Sequence, residues 1–411
     1  MDSHIDFITF NDAFYDYIDK HRDDDVMRLR LKKHVDTDFP IDLAITQIEI
    51  RKRRIEQKLP TWAAAGRIVF PSLLSTEQCS SEITARYKAK LVRGKTLCDM
   101  TGGMGVDTFF MSHQVENALY IEQNELYCQL ARHNFDILGA NHIEVYHGNC
   151  CDYLNNSSVT FDTIYIDPAR RGKSQERLYA LSDCEPDVLL LLPVLLKRCK
   201  RLIIKMSPMV DVTRLREELS LRFQLYIVSV RNECKEMLAV IDTDGCHVNT
   251  NDEPIDINCV MCTSYDDYRE VVFTSNSEMN VSARIACGVE NYLYEPDVAL
   301  LKAGVFKSLC ERYGVMKLAI NSHLYTSINF VSEFPGRSFQ VVEVIPFTSS
   351  TCRQFASQYP SCNITTRNFP LSAIELRKRL KVRDGGDVYI MATCDACNNK
   401  LLIICNKINN E

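Results

Sequence analysis

The sequence predicts an α/β fold, a doubly wound sheet of seven strands over residues 76–247, and three observations carry that reading. Short apolar runs alternate with helical patterns from Thr96 to Ile241, the signature of parallel strands joined by crossover helices. A glycine-rich loop, Thr101 to Gly105, falls directly after the first run and directly before a helical pattern. The last two runs, Leu225 to Val230 and Met237 to Ile241, leave no room for a helix between them. They are expected to form an antiparallel hairpin at the sheet edge.

Along the chain, residues 5 to 59 read as helical, with Phe7, Phe10, Phe14, Tyr17 and Ile18 at three- and four-residue intervals, and Pro60 is expected to stop that region. Ser72 through Val92 reads as one helix, opened by a Ser75 and Gln78 capping box and presenting Ile83, Tyr87 and Leu91 on one face. The apolar runs follow: Leu97 to Met100, Ala118 to Ile121, Glu144 to Tyr146, Thr163 to Ile166, Leu202 to Lys205 and the two hairpin runs. A polar break from Asp242 to Asn258 ends this pattern. A β-rich segment (Cys259 to Val281) then leads to a helix opened by Pro296 and closed by Gly314. The tail reads as strand (Val341 to Pro346), helix (Ser350 to Gln358), strand (Cys362 to Thr366) and helix (Ser372 to Leu380). Two strands finish it, Asp387 to Thr393 and Lys400 to Cys405. The expected partition is an N-terminal helical region (1–75), the sheet domain (76–247), a linking α+β segment (248–338) and a small α+β domain (339–411).

Composition sets limits on function. A chain of 411 residues exceeds the usual size of a single core. An apolar fraction of 46% and a charged fraction of 25% are those of a folded protein. The N-terminus has no basic and apolar leader, and no run approaches the roughly 18 apolar residues of a membrane span, so a cytoplasmic protein with no membrane partner is expected. The eighteen cysteines are scattered and several lie in apolar runs, as reduced buried thiols do. With 48 basic against 54 acidic residues the net charge is −6, so nucleic-acid binding must rest on local patches. The sequence carries no signal for oligomeric state.

The residues with chemistry sit at strand ends. In Asp99-Met100-Thr101-Gly102-Gly103-Met104-Gly105 the glycines let backbone approach a ligand without a Cβ, ahead of a helix whose first N–H groups are unpaired. A dinucleotide fingerprint would place Gly or Ala where Thr108 stands, and the acidic Asp99 suits a cationic amino-acid moiety. Glu122 ends the second strand, where a carboxylate accepts bonds from the ribose hydroxyls of a nucleoside. Gly148, Asn149 and Cys150 follow the third strand, and Asp167, Pro168, Ala169 and Arg170 follow the fourth. Polar residues at successive carboxyl ends of one sheet are what a ligand crevice at a topological switch point requires.

Asp99 to Gly105, Glu122, Asn149 and Asp167 to Arg170 resemble the motifs of class I S-adenosylmethionine (SAM) dependent methyltransferases, a Rossmann-like fold. The resemblance covers residues 80 to 245. It implies SAM as cofactor, bound by Asp99, Thr101, Gly103, Gly105, Glu122, Asn149 and Cys150, with Asn149 in place of the usual acid at the adenine amino group. It places the acceptor at Asp167, Pro168 and Arg170. The Asp-Pro-Ala-Arg stretch is similar to that of RNA-modifying members, including the uracil C5 methyltransferases. Gln78, Ser80, Ser81, Glu82, Ala85, Lys88, Tyr294 to Lys302, Thr366 to Pro370, Gly385 and Gly386 look like the family with a C-terminal THUMP-like domain, a module that binds structured RNA in other enzymes. Uracil C5 enzymes attack with a cysteine after the fifth strand, but this chain has Lys205, Met206, Ser207 and Pro208 there, and a thioether has no proton to lose. Direct transfer to a nitrogen or oxygen is therefore expected.

A basic cluster, Arg377, Lys378 and Arg379 with Lys381, Arg383 and Arg367, stands in the tail. Such a run is commonly a solvated helix face, and its place in an otherwise acidic chain raises the alternative that it contacts RNA phosphates. Cys394 and Cys397 have metal-like spacing without a second pair, so a turn at Asp395 and Asn398 is expected and no metal site. The preferred reading is an RNA methyltransferase. Two alternatives stay open, methylation of a protein or small molecule and a non-catalytic RNA-binding module.

Overall fold

The structure is a computed structural model that describes residues 10–32, 37–170, 181–244 and 253–408. Phe7 of the sequence reading lies outside those residues, as do the side chain of Arg170 and positions 245–252 of the polar break. The chain divides into two compact units, residues 1–226, 235–253 and 262–268 in the first and residues 227–234, 254–261 and 269–411 in the second.

The first unit opens with helices α1 (Asp12–Lys20), α2 (Val26–Leu31), α3 (Ile41–Lys52), α4 (Ile55–Lys58) and α5 (Pro60–Ala64). Among the described residues, the helical stretch expected over 5 to 59 is four short helices, α1 to α4, and α5 follows it. Pro60 starts α5 instead of stopping its predecessor, because the first helical position needs no N–H. Phe14 and Ile18 of α1 are buried against Ala44, Ile45 and Ile48 of α3, as their spacing requires. The single helix expected from Ser72 to Val92 is two, α6 (Leu73–Gln78) and α7 (Glu82–Ala89). Ser72, not Ser75, is the cap of α6, with Ser75 as its reciprocal partner, and the Ser81 hydroxyl starts α7 afresh.

The sheet domain follows as β1 (Thr96–Asp99), α8 (Val106–Ser112), β2 (Asn117–Glu122), α9 (Glu125–Ile137), β3 (Ile143–His147), α10 (Cys150–Asn156) and β4 (Phe161–Ile166). After it come β5 (Ala169–Arg170), β6 (Cys184–Glu185), α11 (Val188–Arg198), β7 (Cys199–Met206), α12 (Val212–Leu219), β8 (Gln224–Val230), β9 (Glu233–Asp242), β10 (Asp256–Cys262) and β11 (Tyr268–Thr274). Strand order in the main sheet is β11-β10-β8-β9-β7-β4-β1-β2-β3. The expected seven strands are present, and β10 and β11 extend the edge to nine. β1 runs parallel to β2 and β4, with Asp99 opposite Tyr120 on one side and Tyr165 on the other. β9 runs antiparallel to β7. Between β8 and β9 only Arg231 and Asn232 intervene, at φ 51° and 64°, the left-handed pair of a two-residue hairpin turn. Central strands are buried on both faces, Leu202, Ile203 and Ile204 of β7 being fully enclosed.

The second unit continues with β12 (Tyr292–Pro296), α13 (Val298–Ala303), α14 (Ser308–Tyr313), β13 (Met316–Ala319), β14 (Ser322–Ser327) and β15 (Gly336–Pro346). It ends with α15 (Ser349–Gln358), β16 (Ser361–Thr366), α16 (Ala373–Leu380), β17 (Arg383–Cys394) and β18 (Lys400–Ile408). The helix expected between Pro296 and Gly314 is split at Gly304, which is left-handed at φ 74° and ends α13. Strands of this unit pair in the order β13-β14-β12-β15-β18-β17-β16. Phe355 of α15 and Leu376 and Leu380 of α16 pack on Ile390, Leu402 and Ile404.

Candidate cofactor and acceptor site

The glycine loop between β1 and α8 is braced by the neighbouring strand. Gly102 N–H donates to the Ile121 carbonyl at 2.8 Å, and Gly103 N–H to Glu122 Oε2 at 2.9 Å. The Tyr120 hydroxyl donates to the Gly103 carbonyl at 2.5 Å. A Cβ on Gly102 would stand 2.2 Å from the Tyr120 ring, so only glycine lets the loop lie against β2. Gly105, at φ 82°, turns the chain into α8.

Asp99 is 1% exposed and accepts from Thr101 N–H at 3.0 Å and from the Thr108 hydroxyl at 2.5 Å. Burial pushes its carboxyl up to about 7 against the pull of those two bonds. The other oxygen of Glu122 accepts from Asn124 N–H at 2.8 Å. The Thr101 hydroxyl accepts from Asp167 N–H at 2.7 Å, tying the loop to the end of β4. Asn149 Oδ1 accepts from Cys151 N–H at 2.8 Å and so caps α10. The Cys150 thiol is pushed up to about 12 by burial, with Cys151 beside it adding to the effect.

These residues surround one cavity of about 640 Å³. Asp99, Thr101, Gly103, Gly105, Glu122, Asn149 and Cys150 line it together with Asp167 and Pro168. Ser80, Asp107 and Tyr165 join them in the wall, and Leu74, Cys79, Cys151, Asp187 and Leu190 are also among the lining residues. Arg170 contributes backbone to β5, paired with Cys184. Gly148 N–H donates to the Glu122 carbonyl at 2.9 Å, which fixes the third strand end against the second.

Next to Asp167 is a buried ionic cluster that the motifs did not reveal. Lys205 Nζ donates to Asp167 Oδ2 at 2.6 Å, and Lys88, wholly enclosed, donates to both oxygens of Glu236 at 2.8 and 2.7 Å. One sequence signal for Lys205 exists, a lone lysine closing the apolar run Leu202 to Ile204.

In the second unit the tail cations divide. Arg367 Nε donates at 2.9 Å to Glu295, a carboxylate with 0% exposure that also accepts from Arg337 Nε at 2.7 Å. Arg367 therefore anchors β16 to β12. Arg377 pairs with Asp384, while Lys378 and Arg379 are exposed on the outer face of α16. The Cys394 to Cys397 stretch is a turn in which Asp395 accepts from the Cys397 and Asn399 N–H groups.

A glycine loop after the first strand, a carboxylate ending the second and an Asp-Pro step ending the fourth, all around one cavity of a doubly wound sheet, define a class I methyltransferase domain. Comparisons with known proteins agree. A family model described as THUMP domain-like matches residues 336–407, and one described as a ferredoxin-like domain matches residues 292–335. The crystal structure of a Porphyromonas gingivalis W83 protein described as a methyltransferase is 34% identical, covers 97% of this chain and 100% of its own, and superposes with a TM-score of 0.86. An uncharacterised S-adenosylmethionine-dependent methyltransferase of Mycobacterium tuberculosis is 22% identical over 324 residues, 77% of this chain and 82% of that one. The ribosomal RNA small subunit methyltransferase J of Francisella philomiragia is 31% identical over 115 residues, 24% of this chain and 45% of that enzyme. The chain belongs to the class I SAM-dependent methyltransferases, with a THUMP-like domain at its C-terminus, and is a transferase. Among the described residues no helix is long and apolar enough to cross a membrane.

Proposed function

We propose that this chain is a cytoplasmic RNA methyltransferase that moves a methyl group directly onto a nitrogen or oxygen of its substrate. The observation that carries the reading is the single cavity shared by the loop Asp99 to Gly105, Glu122 and Asn149 with Asp167 and Pro168. Its volume suits a nucleoside-sized ligand, since small-molecule sites run from roughly 300 to 1,000 Å³. The donor set fits SAM: Glu122 stands where ribose hydroxyls would be held, and Asp99 beneath the loop complements a cationic amino-acid end. SAM supplies an electrophilic methyl on a sulfonium, which leaves as a neutral thioether. Asp167 would orient the acceptor through a hydrogen bond and receive the proton that the acceptor gives up as its lone pair takes the methyl.

Thiol chemistry is disfavoured at two of the three cavity cysteines, Cys79 and Cys150, with Cys151 the third. Met206 is buried, and the thiols of Cys79 and Cys150 are raised by burial, which keeps them protonated and weakly nucleophilic. RNA as the substrate is supported by the THUMP domain-like match and by the partial match to a ribosomal RNA enzyme. Lys378 and Arg379 are the cations we assign to phosphate contact, with Arg377 beside them. Incubation with labelled SAM and total RNA from cells lacking the protein tests the reading. Label in an RNA species supports it, and label only in protein or small molecules replaces it with another acceptor. RNA containing 5-fluoropyrimidines should give no shifted covalent band on a denaturing gel.

A further inference from the structure

Asp167 is the outermost member of a chain of charges that runs into the core. Its side chain is 38% exposed, Lys205 beside it 14%, Asp107 11%, Glu236 4% and Lys88 0%. Lys205 Nζ lies 2.6 Å from Asp167 Oδ2, 3.3 Å from the Ser80 hydroxyl and 3.9 Å from Asp107 Oδ2. The Ser80 oxygen is shared with Lys88 Nζ at 2.8 Å, and Ser80 donates to Asp107 Oδ2, also at 2.8 Å. Lys88 reaches Asp107 Oδ1 at 3.1 Å, and the Tyr165 hydroxyl donates to Asp107 Oδ2 at 2.7 Å. Five ionisable groups from α7, α8, β7, β9 and the end of β4 are thereby held in one network.

Such a network is a costly way to stabilise a fold, since an apolar cluster of equal volume commonly does as well or better. Buried charges gathered at the wall of a cavity are instead a mark of functional sites. Ser80, Asp107, Tyr165 and Asp167 all line the cavity, so the network ends where the acceptor would sit. Lys205 stays an ammonium: burial opposes its charge, but Asp167, Asp107 and Glu236 outweigh burial and raise its pKa.

We infer that Lys205, seated by Lys88, Asp107 and Ser80, is a positioning residue that fixes the Asp167 carboxylate toward the acceptor. This rests on the reading that Asp167 meets the acceptor. Lys205 acts through Asp167 and is not itself assigned to substrate.

The test compares Lys205→Met, Lys205→Arg, Asp167→Asn and the Met and Asn double variant in transfer from labelled SAM to total RNA, with SAM binding measured alongside by calorimetry. Lys205→Met should lower kcat about tenfold or more, close to the loss in Asp167→Asn. SAM affinity should stay within about twofold in each variant, and Lys205→Arg should recover most of the rate. The double variant should be no slower than Asp167→Asn, because Lys205 has nothing left to position. Should Lys205→Met fail to fold, the double variant, which leaves neither partner charge unpaired, carries the comparison with Asp167→Asn. Losses that multiply in the double variant, or Lys205→Met with parental kcat, overturn the inference while leaving the acceptor reading intact. Wild-type protein that binds SAM and transfers nothing to RNA removes the acceptor reading and the role of Lys205 with it.

Discussion

The Thr108 hydroxyl of α8 reaches back across the glycine loop to the Asp99 carboxylate, 2.5 Å away and out of contact with solvent. Thr108 stands where a dinucleotide fingerprint would carry Gly or Ala, and its side chain makes the loop a closed unit: β1, loop and α8 are joined by one bond to a carboxylate. Thr108→Val keeps the shape and removes the donor. At pH 8, where the Asp99 carboxyl has lost its proton, it should cost about 1.5–3 kcal/mol, the range for a hydrogen bond to a charged group, read from the urea midpoint at unchanged slope. An unchanged midpoint would show that the bond contributes nothing to the folded loop.

Asp99 also gives the protein a pH signature. Its carboxyl titrates near 3.8 when unperturbed and near 7 in the fold, chiefly because it is buried, so between those values the folded chain holds a proton that the unfolded chain has lost. The stability this contributes is complete below about pH 4 and disappears as pH rises through about 7. Asp99→Asn has no such proton to lose. Its Tm relative to wild type should therefore climb as ligand-free protein is melted at successive pH values from 5 to 8. A difference in Tm that does not vary with pH contradicts this assignment.

The tail cations are predicted to contribute unequally to RNA affinity. Arg377 is already paired with Asp384, whereas Lys378 and Arg379 are exposed. Reversing Lys378 and Arg379 to Glu should weaken binding and reduce the slope of log affinity against log salt by about 1–2, roughly one per lost phosphate contact. Arg377→Glu alone should act mainly through repulsion from Asp384 on the stability of the second unit. Parental affinity and salt slope in the double reversal would return the cluster to a solvated helix face.

Much of this architecture is legible locally. The tail elements follow the expected order because their signals are short-range, such as the Ser372 and Glu375 capping box that opens α16. The hairpin β8–β9 is legible for the same reason, its strands being separated by two residues. The N-terminal helices are harder to read, since Pro60 at a helix start and Pro60 at a helix stop look alike in sequence. At the site, strand ends reveal Asp99, Glu122 and Asp167, but not the pair Lys88 and Glu236, which are 148 residues apart and meet only once α7 and β9 are packed. The sequence groups Arg367 with the candidate RNA-binding cations because its partner Glu295 lies 72 positions away on another strand.

SAM is expected in the cavity bounded by the glycine loop and Glu122, and calorimetric titration of SAM into the intact protein measures its binding there. Saturable binding at one site is predicted, with Glu122→Ala weakening it by about 1.5–3 kcal/mol through loss of charge-assisted bonds. No heat of binding with the folded wild-type protein, or full affinity in Glu122→Ala, would place SAM elsewhere or nowhere on the chain.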